Sequence, residues 1–469
     1  MTTLWPHQQK AFDFAVNRPA TLVAAGMGTG KSAIAIALAD HWQPRRTLIL
    51  CPTTVRPVWR REIGKHCQRD VAVAILDRGS VAKRTEQAVA AWDDDRPSIV
   101  VANYEMVLHQ PFRNWALRYW DLVVLDESHR IQGQKRTALY CAALNVAGPH
   151  RLCLTGTPLT QDPLSIWAQC RFLDPNVFGD YLHRFLDWFE APVAVSLYKK
   201  TIKRNRDRAI RGLPPITLGG WAQEGVVNMP LYLSLLSQLA IRIENAVLNL
   251  PPLTTERRTF RLSDRARRLY AGIARGHHES VERGLWPEVR GSYAITMRLQ
   301  QITSGWLPNR EGEIVEVDHG KADCLADILD GASGEPVVVF CRFVRDLDTT
   351  ATLAAKMGLR YGEISHRRKD GMDHLATMPE GLQVVGVQEQ AGGAGIDLTR
   401  ARIGVDFSPS WSLANREQKI ARIHRPPATR PAIIYELVAE DTIDEQIYLA
   451  LAARRQIIGR TWKLLETVA

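Results

Sequence analysis

The chain has 469 residues, of which 45% are apolar and 23% are charged. This composition excludes a disordered or fibrous protein, and the length exceeds one ordinary hydrophobic core, so we expect two globular domains. The formal charge of +10 favours a polyanionic partner, because clustered cations displace counterions from phosphate backbones. Charge alone does not distinguish DNA, RNA and an anionic membrane surface.

The cysteines and apolar runs indicate where such a protein works. No Cys-x-x-Cys pair occurs, and Cys51, Cys153 and Cys341 lie in apolar, strand-like runs, so we expect buried thiols instead of disulfides or zinc ligands. The N-terminus lacks an export signal, and no uncharged apolar run is long enough to span a bilayer. We therefore expect a cytoplasmic protein, of a kind found in bacteria or phage-infected cells, without a membrane partner.

The N-terminal half alternates short β-rich runs with helix-like stretches such as Ser32 to Trp42. This rhythm predicts a parallel sheet covered by helices, because parallel strands are joined by helical crossovers and buried on both faces. The predicted strands are Thr21 to Ala25, Thr47 to Cys51, Ile99 to Asn103, Leu122 to Leu125 and Arg151 to Thr155.

A glycine-rich turn separates the first predicted strand from the first predicted helix. Glycines there let successive main-chain N–H groups surround a phosphate at a helix N-terminus. We expect Lys31 to contact the β- and γ-phosphates and Ser32 to contact magnesium. The usual pattern begins with glycine where this chain has Ala25, but the flanking strand and helix favour phosphate binding over a structural turn. The predicted binding residues are Gly28, Thr29, Gly30, Lys31 and Ser32.

Two acidic residues end the fourth predicted strand. Asp126 follows four apolar residues and suits a magnesium ligand, and Glu127 beside it can orient or deprotonate an attacking water. Their place at a strand end, after the phosphate loop, strengthens an otherwise weak Asp-Glu signal. Thr155 and Thr157 follow the next strand, and they either sense phosphate or belong to a plain strand-end turn.

The middle of the chain separates the two predicted domains. Helical periodicity over Leu231 to Leu250 and Ser263 to Arg275 is interrupted at Pro251-Pro252, where a helix has to end. The predicted domains are residues 1–250, with a helical extension at about 159–250, and residues 251–469, with a helical extension at about 263–310.

A strongly basic stretch lies within the first extension. Lys199 to Arg211 carries seven cations against one acid, Asp207. A solvated loop and a nucleic-acid contact explain this charge equally well.

A second series of β-rich runs predicts a second α/β lobe of roughly the same plan. Asp346 to Met357 is a helical spacer in this series, and the residues from Thr442 onward are expected to form a docked helix. The predicted strands are Val337 to Cys341, Gln383 to Val387, Ile403 to Phe407 and Ile433 to Val438.

Three polar residues near the C-terminus recur at helical spacing. Gln418, Arg422 and Arg425 stand at i, i+4 and i+7, so a helix here places them on one face. A charged surface helix is the plain interpretation. The phosphate site predicted in the first lobe requires arginines that neutralise charge, and this favours a catalytic interpretation of the helix.

On these motifs the chain resembles the Snf-two (SWI/SNF-type) ATPases of helicase superfamily two, a family of chromatin remodellers and DNA translocases. The resemblance covers about Leu4 to Leu451 and is that of a minimal motor core, near the annealing-helicase branch. The segments that carry it are Leu4 to Gln8, Leu50 to Pro52, Trp59 to Ile63, Asp126 to Ile131, Leu154 to Leu159, Phe172 to Phe178, Ala391 to Leu398 and Gln418 to Arg425.

The resemblance implies two RecA-like lobes of the P-loop NTPase class, with ATP and Mg²⁺ bound between them. It implies that Gln8 recognises adenine, that Arg422 and Arg425 reach ATP from the second lobe, and that Gly395 and Asp397 also belong to the nucleotide site. Contacts with DNA phosphates are expected from Thr53, Thr54, Arg56, Asn103 and Gly393.

Three departures from the family pattern concern how the lobes are coupled. The chain has Arg242-Ile243 where the family has two arginines, Asp397 in place of asparagine, and Pro426-Pro427 in place of Gly-Gln. These positions leave the predicted ATP binding intact.

We accordingly predict a monomeric, DNA-dependent ATPase that translocates on double-stranded DNA without separating the strands. One alternative is a strand-separating helicase or the motor subunit of a restriction or defence complex. Another is a nucleotide-gated DNA-binding scaffold with weak hydrolysis. RNA remodelling is a third, because RNA presents the same phosphates.

Overall fold

The computed structural model describes residues 3–133, 135–144, 148–160, 162–189, 226, 228–275, 292–367, 378–389 and 396–468. The basic stretch Lys199 to Arg211 lies outside the described residues, as do Gly393 and Gly395. The described residues form two parallel sheets, each flanked by helices, so the predicted fold class is confirmed.

The first lobe is built on a seven-stranded parallel sheet in the order β3-β4-β2-β5-β6-β1-β7. Five of its strands are those predicted from apolar runs. The strands are β1 (Ala20–Ala25), β2 (Arg46–Cys51), β3 (Ala72–Ile75), β4 (Ser98–Asn103), β5 (Leu122–Asp126), β6 (His150–Thr155) and β7 (Ala240–Ile243).

The central strands of this sheet are buried on both faces, which explains their continuous apolar character. Successive side chains point to opposite faces, so Leu22 and Leu48 pack in one core cluster, and Val23 and Ile49 pack in another. Helices on each face cover these clusters. The helices of the first lobe are α1 (Pro6–Ala15), α2 (Lys31–Trp42), α3 (Arg56–His66), α4 (Val81–Trp92), α5 (Gln110–Ala116), α6 (Arg136–Ala143), α7 (Trp167–Leu173), α8 (Pro175–Phe178), α9 (Leu182–Phe189) and α10 (Met229–Leu239).

The predicted helix over Leu231 to Leu250 is wrong in its second half. Helix α10 ends at Leu239, and β7 follows at once and pairs with β1 at the edge of the sheet. Its sequence Ala-Ile-Arg-Ile places isoleucines at alternate positions, a pattern that suits a strand. The chain then passes to the second sheet between Ile243 and Leu253.

The second lobe is built on a six-stranded parallel sheet in the order β12-β13-β11-β14-β15-β8, and β9 and β10 form a separate antiparallel pair. The sequence did not predict β8, because its centre is the charged run Glu256-Arg257-Arg258 at an exposed sheet edge. The strands are β8 (Leu253–Phe260), β9 (Trp306–Pro308), β10 (Ile314–Glu316), β11 (Val337–Cys341), β12 (Tyr361–Ile364), β13 (Val384–Gln388), β14 (Ile403–Asp406) and β15 (Ala432–Ala439).

The last helix of the second lobe returns to the first lobe. Its N-terminal part buries Tyr448 beside Val438 of β15, while Trp462 and Leu465 are buried in a core cluster of the first lobe. The predicted docked helix is thus present, and it bridges both lobes. The helices of the second lobe are α11 (Asp264–Arg275), α12 (Ser292–Thr303), α13 (Gly320–Gly331), α14 (Val344–Lys356), α15 (Leu413–Ile423) and α16 (Ile443–Val468).

Two further predictions concern the cysteines and whether any helix is long enough to span a membrane. The thiols of Cys51, Cys153 and Cys341 are free and buried, as expected. Across the described ranges, none of the helices combines the length and the apolar character that crossing a membrane requires.

Candidate nucleotide site between the lobes

A cavity of about 270 Å³ lies where the carboxyl ends of the first sheet face the second lobe. Both lobes contribute to its lining, and the predicted phosphate loop, acidic pair and arginines all reach it. The lining residues are Met27, Gly28, Gly30, Lys31, Ser32, Val55, Val58, Glu62, Asp126, Glu127, Ile396, Gln418, Ala421, Arg422 and Arg425.

The loop between β1 and α2 depends on two glycines with positive φ. Gly28 has φ +81° and Gly30 has φ +80°, a region that residues with a Cβ rarely adopt. Space also requires glycine, because a Cβ on Gly30 would lie 2.2 Å from Nε2 of Gln8, and one on Gly28 would lie 2.9 Å from Cδ of Pro426. The loop therefore packs directly against the second lobe.

Lys31 is the first residue of α2 and folds back over the loop. Its Nζ donates to the carbonyl oxygens of Ala25 at 3.1 Å and Gly26 at 3.3 Å. The buried hydroxyl of Thr29 donates to Gly26 at 2.7 Å. These bonds hold a cation and the N-terminus of α2 at one wall of the cavity, a combination that attracts anions.

Gln8 lies on α1 and braces the loop from outside. Its Nε2 donates to the carbonyl oxygen of Thr29 at 3.0 Å, and its Oε1 accepts from the main chain of Trp5 at 2.9 Å. The structure thus brings the predicted adenine-recognising residue against the phosphate loop, with its amide already engaged there.

Asp126 is held from three directions at the end of β5. Its Oδ2 accepts from Nε1 of Trp59 at 2.9 Å, its Oδ1 accepts from the main-chain N–H of Glu127 at 2.9 Å, and its carbonyl oxygen accepts from the Tyr104 hydroxyl at 2.7 Å. Burial, and then the charge of Glu127, raise the pKa of the Asp126 carboxyl.

Glu127 takes an unusual backbone conformation, with φ 50° and ψ 49°. This is the left-handed region that residues with a Cβ rarely adopt, and such strain persists where the surrounding structure fixes it. Burial alone raises the pKa of Glu127, but the charge of Lys31 and the nearby His129 outweigh burial, so the pKa is lowered. Glu127 is therefore ionised and able to accept a proton or a hydrogen bond.

His129 connects the acidic pair to the turn after β6. Its Nδ1 lies 3.3 Å from Oε2 of Glu127 and 2.9 Å from Oγ1 of Thr155. The Thr155 hydroxyl also accepts from the main chain of Thr157 at 3.1 Å. The Thr155 hydroxyl is therefore occupied within this turn, and its use as a phosphate sensor stays a prediction.

The arginines do not all lie on one helix face, which corrects the i, i+4, i+7 interpretation. Helix α15 starts with a cap at Ser412 and ends at Ile423, so Arg425 lies beyond its end. Gln418 and Arg422 are on the helix, and all three side chains still line the cavity. The three side chains lie together because they all line the cavity, and not because they share one helix face.

Arg422 is a buried cation with spare hydrogen-bonding capacity. Its exposed fraction is 6%, and its Nη1 has no hydrogen-bond partner within the described part of the chain. Burial, opposed by Glu389, lowers the pKa of Arg422 to about 10, so the guanidinium remains charged at neutral pH. A buried, charged donor without a partner is costly unless an anion binds it.

The helix that carries Arg422 is anchored by Lys419. Its Nζ lies 2.9 Å from Oδ1 of Asp406, at the end of β14, and 3.0 Å from Oε1 of Glu389, just after β13. These ion pairs are buried and hold α15 against two strand ends of the second sheet.

Arg425 and Asp397 face each other in the second lobe. Nη2 of Arg425 lies 3.5 Å from Oδ2 of Asp397, and Oδ1 of Asp397 accepts from the Thr399 hydroxyl at 2.6 Å. The structure thus places Asp397 as a partner of Arg425.

The residues predicted to contact DNA differ in how exposed they are. Thr53 is exposed and Thr54 half-buried in the turn before α3, whereas Arg56 and Asn103 are buried. The Arg56 guanidinium donates to the Leu76 carbonyl oxygen and to Oδ1 of Asn103. A direct DNA contact from Arg56 or Asn103 therefore stays a prediction that requires these bonds to break.

Sequence reasoning missed the part that α3 plays. Val55, Val58 and Glu62 line the cavity, and Trp59 bonds Asp126. The resemblance of Trp59 to Ile63 to a family segment was a signal for this, but nothing in the spacing indicates which side chain meets Asp126.

The side chains that line the cavity have the chemistry that binds a nucleoside triphosphate with a divalent cation. Lys31, Arg422 and Arg425 supply positive charge for phosphate oxygens, while Ser32 and Asp126 offer the oxygen ligands that Mg²⁺ prefers. Phosphate can accept a hydrogen bond from Nη1 of Arg422, which has no partner in the part of the chain that the structure describes.

Comparisons with known proteins identify the family to which the chain is similar. A family model described as "SNF2-related domain" matches residues 7–304, and one described as "Helicase conserved C-terminal domain" matches residues 320–427. A structure titled "Sulfolobus solfataricus SWI2/SNF2 ATPase core in complex with dsDNA" is similar over 98% of this chain and 94% of that chain, with 19% identity and a TM-score of 0.43.

Curated relatives match over nearly the whole chain. A zebrafish (Danio rerio) "Chromodomain-helicase-DNA-binding protein 1-like" is 25% identical over 92% of this chain and 41% of that protein. The yeast (Saccharomyces cerevisiae) "ISWI chromatin-remodeling complex ATPase ISW1" is 23% identical over 95% of this chain and 39% of that protein. The chain spans about two fifths of the length of these relatives. Because the first family model covers more than half of its residues, the chain belongs to the SNF2-related domain family.

Proposed function

We propose that this chain is a DNA-dependent ATPase that uses ATP hydrolysis to translocate on double-stranded DNA. The observation that carries the proposal is the position of Arg422 in the cavity that also holds the phosphate loop, as a buried guanidinium whose Nη1 has no hydrogen-bond partner among the described residues. The family, and relatives whose names include chromatin-remodeling ATPases, support the same activity.

Residues of the first lobe bind the triphosphate. The N–H groups at the start of α2 and the Lys31 ammonium contact its phosphate oxygens, and Lys31 exchanges the loop carbonyls for them. Ser32 and Asp126 would hold Mg²⁺, which neutralises charge on the phosphates when bound.

Glu127 prepares the attacking water. Its carboxylate is ionised because Lys31 and His129 lower its pKa, so it accepts a hydrogen bond from water and orients it toward the terminal phosphorus. Asp126 differs from Glu127 because both of its carboxylate oxygens accept hydrogen bonds, from Trp59 and from the main-chain N–H of Glu127, which suits it to hold a metal ion and not to move a proton.

Arg422 and Arg425 complete the site from the second lobe. Their guanidinium groups stabilise the charge that develops on the transferred phosphoryl group, a contribution of about 10³- to 10⁵-fold in related chemistry. Since they belong to the other lobe, hydrolysis depends on how the lobes are placed. DNA bound across both lobes couples to ATP through that placement.

DNA is the proposed partner, contacted through its phosphates and without sequence preference. The formal charge of +10 supports a polyanion, and the exposed Thr53 is available at the first lobe. We further propose that the chain acts as a monomer in the cytoplasm, where its free cysteines stay reduced.

The test is a side-by-side measurement of ATP turnover with blunt duplex DNA, forked DNA, single-stranded DNA and RNA, using Lys31→Ala as the inactive control. Blunt duplex is expected to stimulate turnover most, without release of a labelled strand. Stimulation by single strands or RNA alone would contradict translocation on duplex DNA, and strand release would establish an unwinding helicase instead.

A further inference from the structure

Helix α3 runs along the nucleotide cavity and is more than a scaffold. Val58 and Glu62 line the cavity from one face of α3, four residues apart, and Val55, the residue before this helix, lines it as well. Trp59 follows Val58 in this helix, is 1% exposed, and packs in the same core cluster as Val23 and Ile49.

The Trp59 indole makes a bond that packing alone does not require. Its Nε1 donates to Oδ2 of Asp126 at 2.9 Å. By contrast, the indoles of Trp42 and Trp167 in the same lobe donate to main-chain carbonyl oxygens. A neutral N–H on an ionised carboxylate gives a charge-assisted bond, stronger and more directional than one to a carbonyl.

This bond determines how the carboxylate can be used. Trp59 takes one lone pair of Oδ2, and the N–H of Glu127 takes one of Oδ1. Each carboxylate oxygen has two lone pairs, so one on each oxygen stays free. The Trp59 and Glu127 N–H groups together restrict rotation of the Asp126 carboxylate. They therefore fix the direction in which its remaining lone pairs point.

We propose that Trp59 is a positioning residue for the metal ligand, whose indole N–H holds Asp126 in the orientation that binds Mg²⁺ together with Ser32. The proposal rests on the proposed function, because it assigns Asp126 to the metal of the nucleotide site. Outer partners of metal ligands contribute about 10- to 100-fold to metal affinity. Trp59 therefore sets the Mg²⁺ dependence of nucleotide binding.

The test compares binding of a ribose-labelled fluorescent ATP analogue in Mg²⁺ and in EDTA. Trp59→Phe keeps an aromatic ring and removes the donor, and it is expected to lose about 10- to 100-fold of the Mg²⁺ enhancement while binding in EDTA is unchanged. Trp167→Phe removes a buried indole that donates to Gly179 at 3.1 Å, and as the matched control it should keep the whole enhancement.

A second variant separates the bond from the packing. Trp59→His keeps a ring N–H but loses more side-chain volume than Trp59→Phe, so it should be the less stable protein. If Trp59 positions Asp126, the Trp59→His protein nevertheless retains more of the Mg²⁺ enhancement than the Trp59→Phe protein. The opposite order, or equal losses in Mg²⁺ and EDTA, would overturn the proposal in favour of a packing role. If wild-type protein shows no Mg²⁺-enhanced binding, the proposed function itself fails.

Discussion

Arg425 and Asp397 form an ion pair, with Nη2 and Oδ2 3.5 Å apart, beside the cavity that contains the phosphate loop. The family has asparagine where this chain has Asp397, so the carboxylate is an additional partner for an arginine that is proposed to bind phosphate. ATP must compete with it for the guanidinium.

Replacing Asp397 by asparagine is expected to favour ATP. Both side chains of the pair are partly exposed, so it is worth about 0.2–1 kcal/mol, and Asp397→Asn should lower the KM for ATP by up to about fivefold. Steady-state ATPase assays measure this. Glu335→Gln, which removes a partly exposed ion pair with Arg430, is the control, and a raised KM for Asp397→Asn alone would show that the carboxylate helps to bind nucleotide.

The anchorage of α16 on the first lobe predicts a large effect on stability. Trp462 is buried in the core cluster of the first lobe, and its ring lies 5.7 Å from the Arg242 guanidinium. Trp462→Ala should lower the free energy of unfolding by about 3–5 kcal/mol, measured by urea denaturation. Leu449→Ala changes an exposed residue of the same helix and should have little effect; equal effects would argue against the docking of Trp462.

Arg56 is expected to act on stability more than on DNA. Its guanidinium is buried and donates to Leu76 and Asn103, so Arg56→Ala leaves buried acceptors unpaired at a cost of about 1–3 kcal/mol. Thermal unfolding and the DNA concentration for half-maximal ATPase stimulation are the two measurements. Thr53→Ala, at an exposed residue, should change only the second; a stable Arg56→Ala protein with weakened DNA stimulation would restore Arg56 as a DNA contact.

The sequence predicted those parts of the fold that local pattern determines. Apolar runs of five or six residues, such as Val337 to Cys341, identified central strands because both of their faces are buried. Strand β8 was not predicted because Glu256, Arg257 and Arg258 lie at an exposed sheet edge, where burial does not select apolar residues. Strand β3 is partly exposed, and β7 follows α10 without an intervening loop, so neither strand stands out as a separate apolar run.

The candidate site was likewise predictable where local motifs determine it, and not where it depends on contacts between distant residues. Lys31, Asp126 and Arg422 belong to local motifs, and the structure brings all three to one cavity. The bond from Trp59 to Asp126 joins residues 67 positions apart, and no local pattern specifies such a pair. The inward orientation of Arg56 likewise depends on neighbours contributed by β4 and by the chain after β3.

The contribution of the second lobe to chemistry is tested most directly by single-turnover ATP hydrolysis in wild-type and Arg422→Ala protein, with saturating ATP and blunt duplex DNA. Over the described ranges Nη1 of Arg422 is buried without a hydrogen-bond partner, so the variant should fold at least as stably as wild type. Its rate constant is predicted to fall by about 10³- to 10⁵-fold with DNA binding retained. A folded Arg422→Ala protein that hydrolyses ATP at the wild-type rate would contradict an active site shared between the lobes.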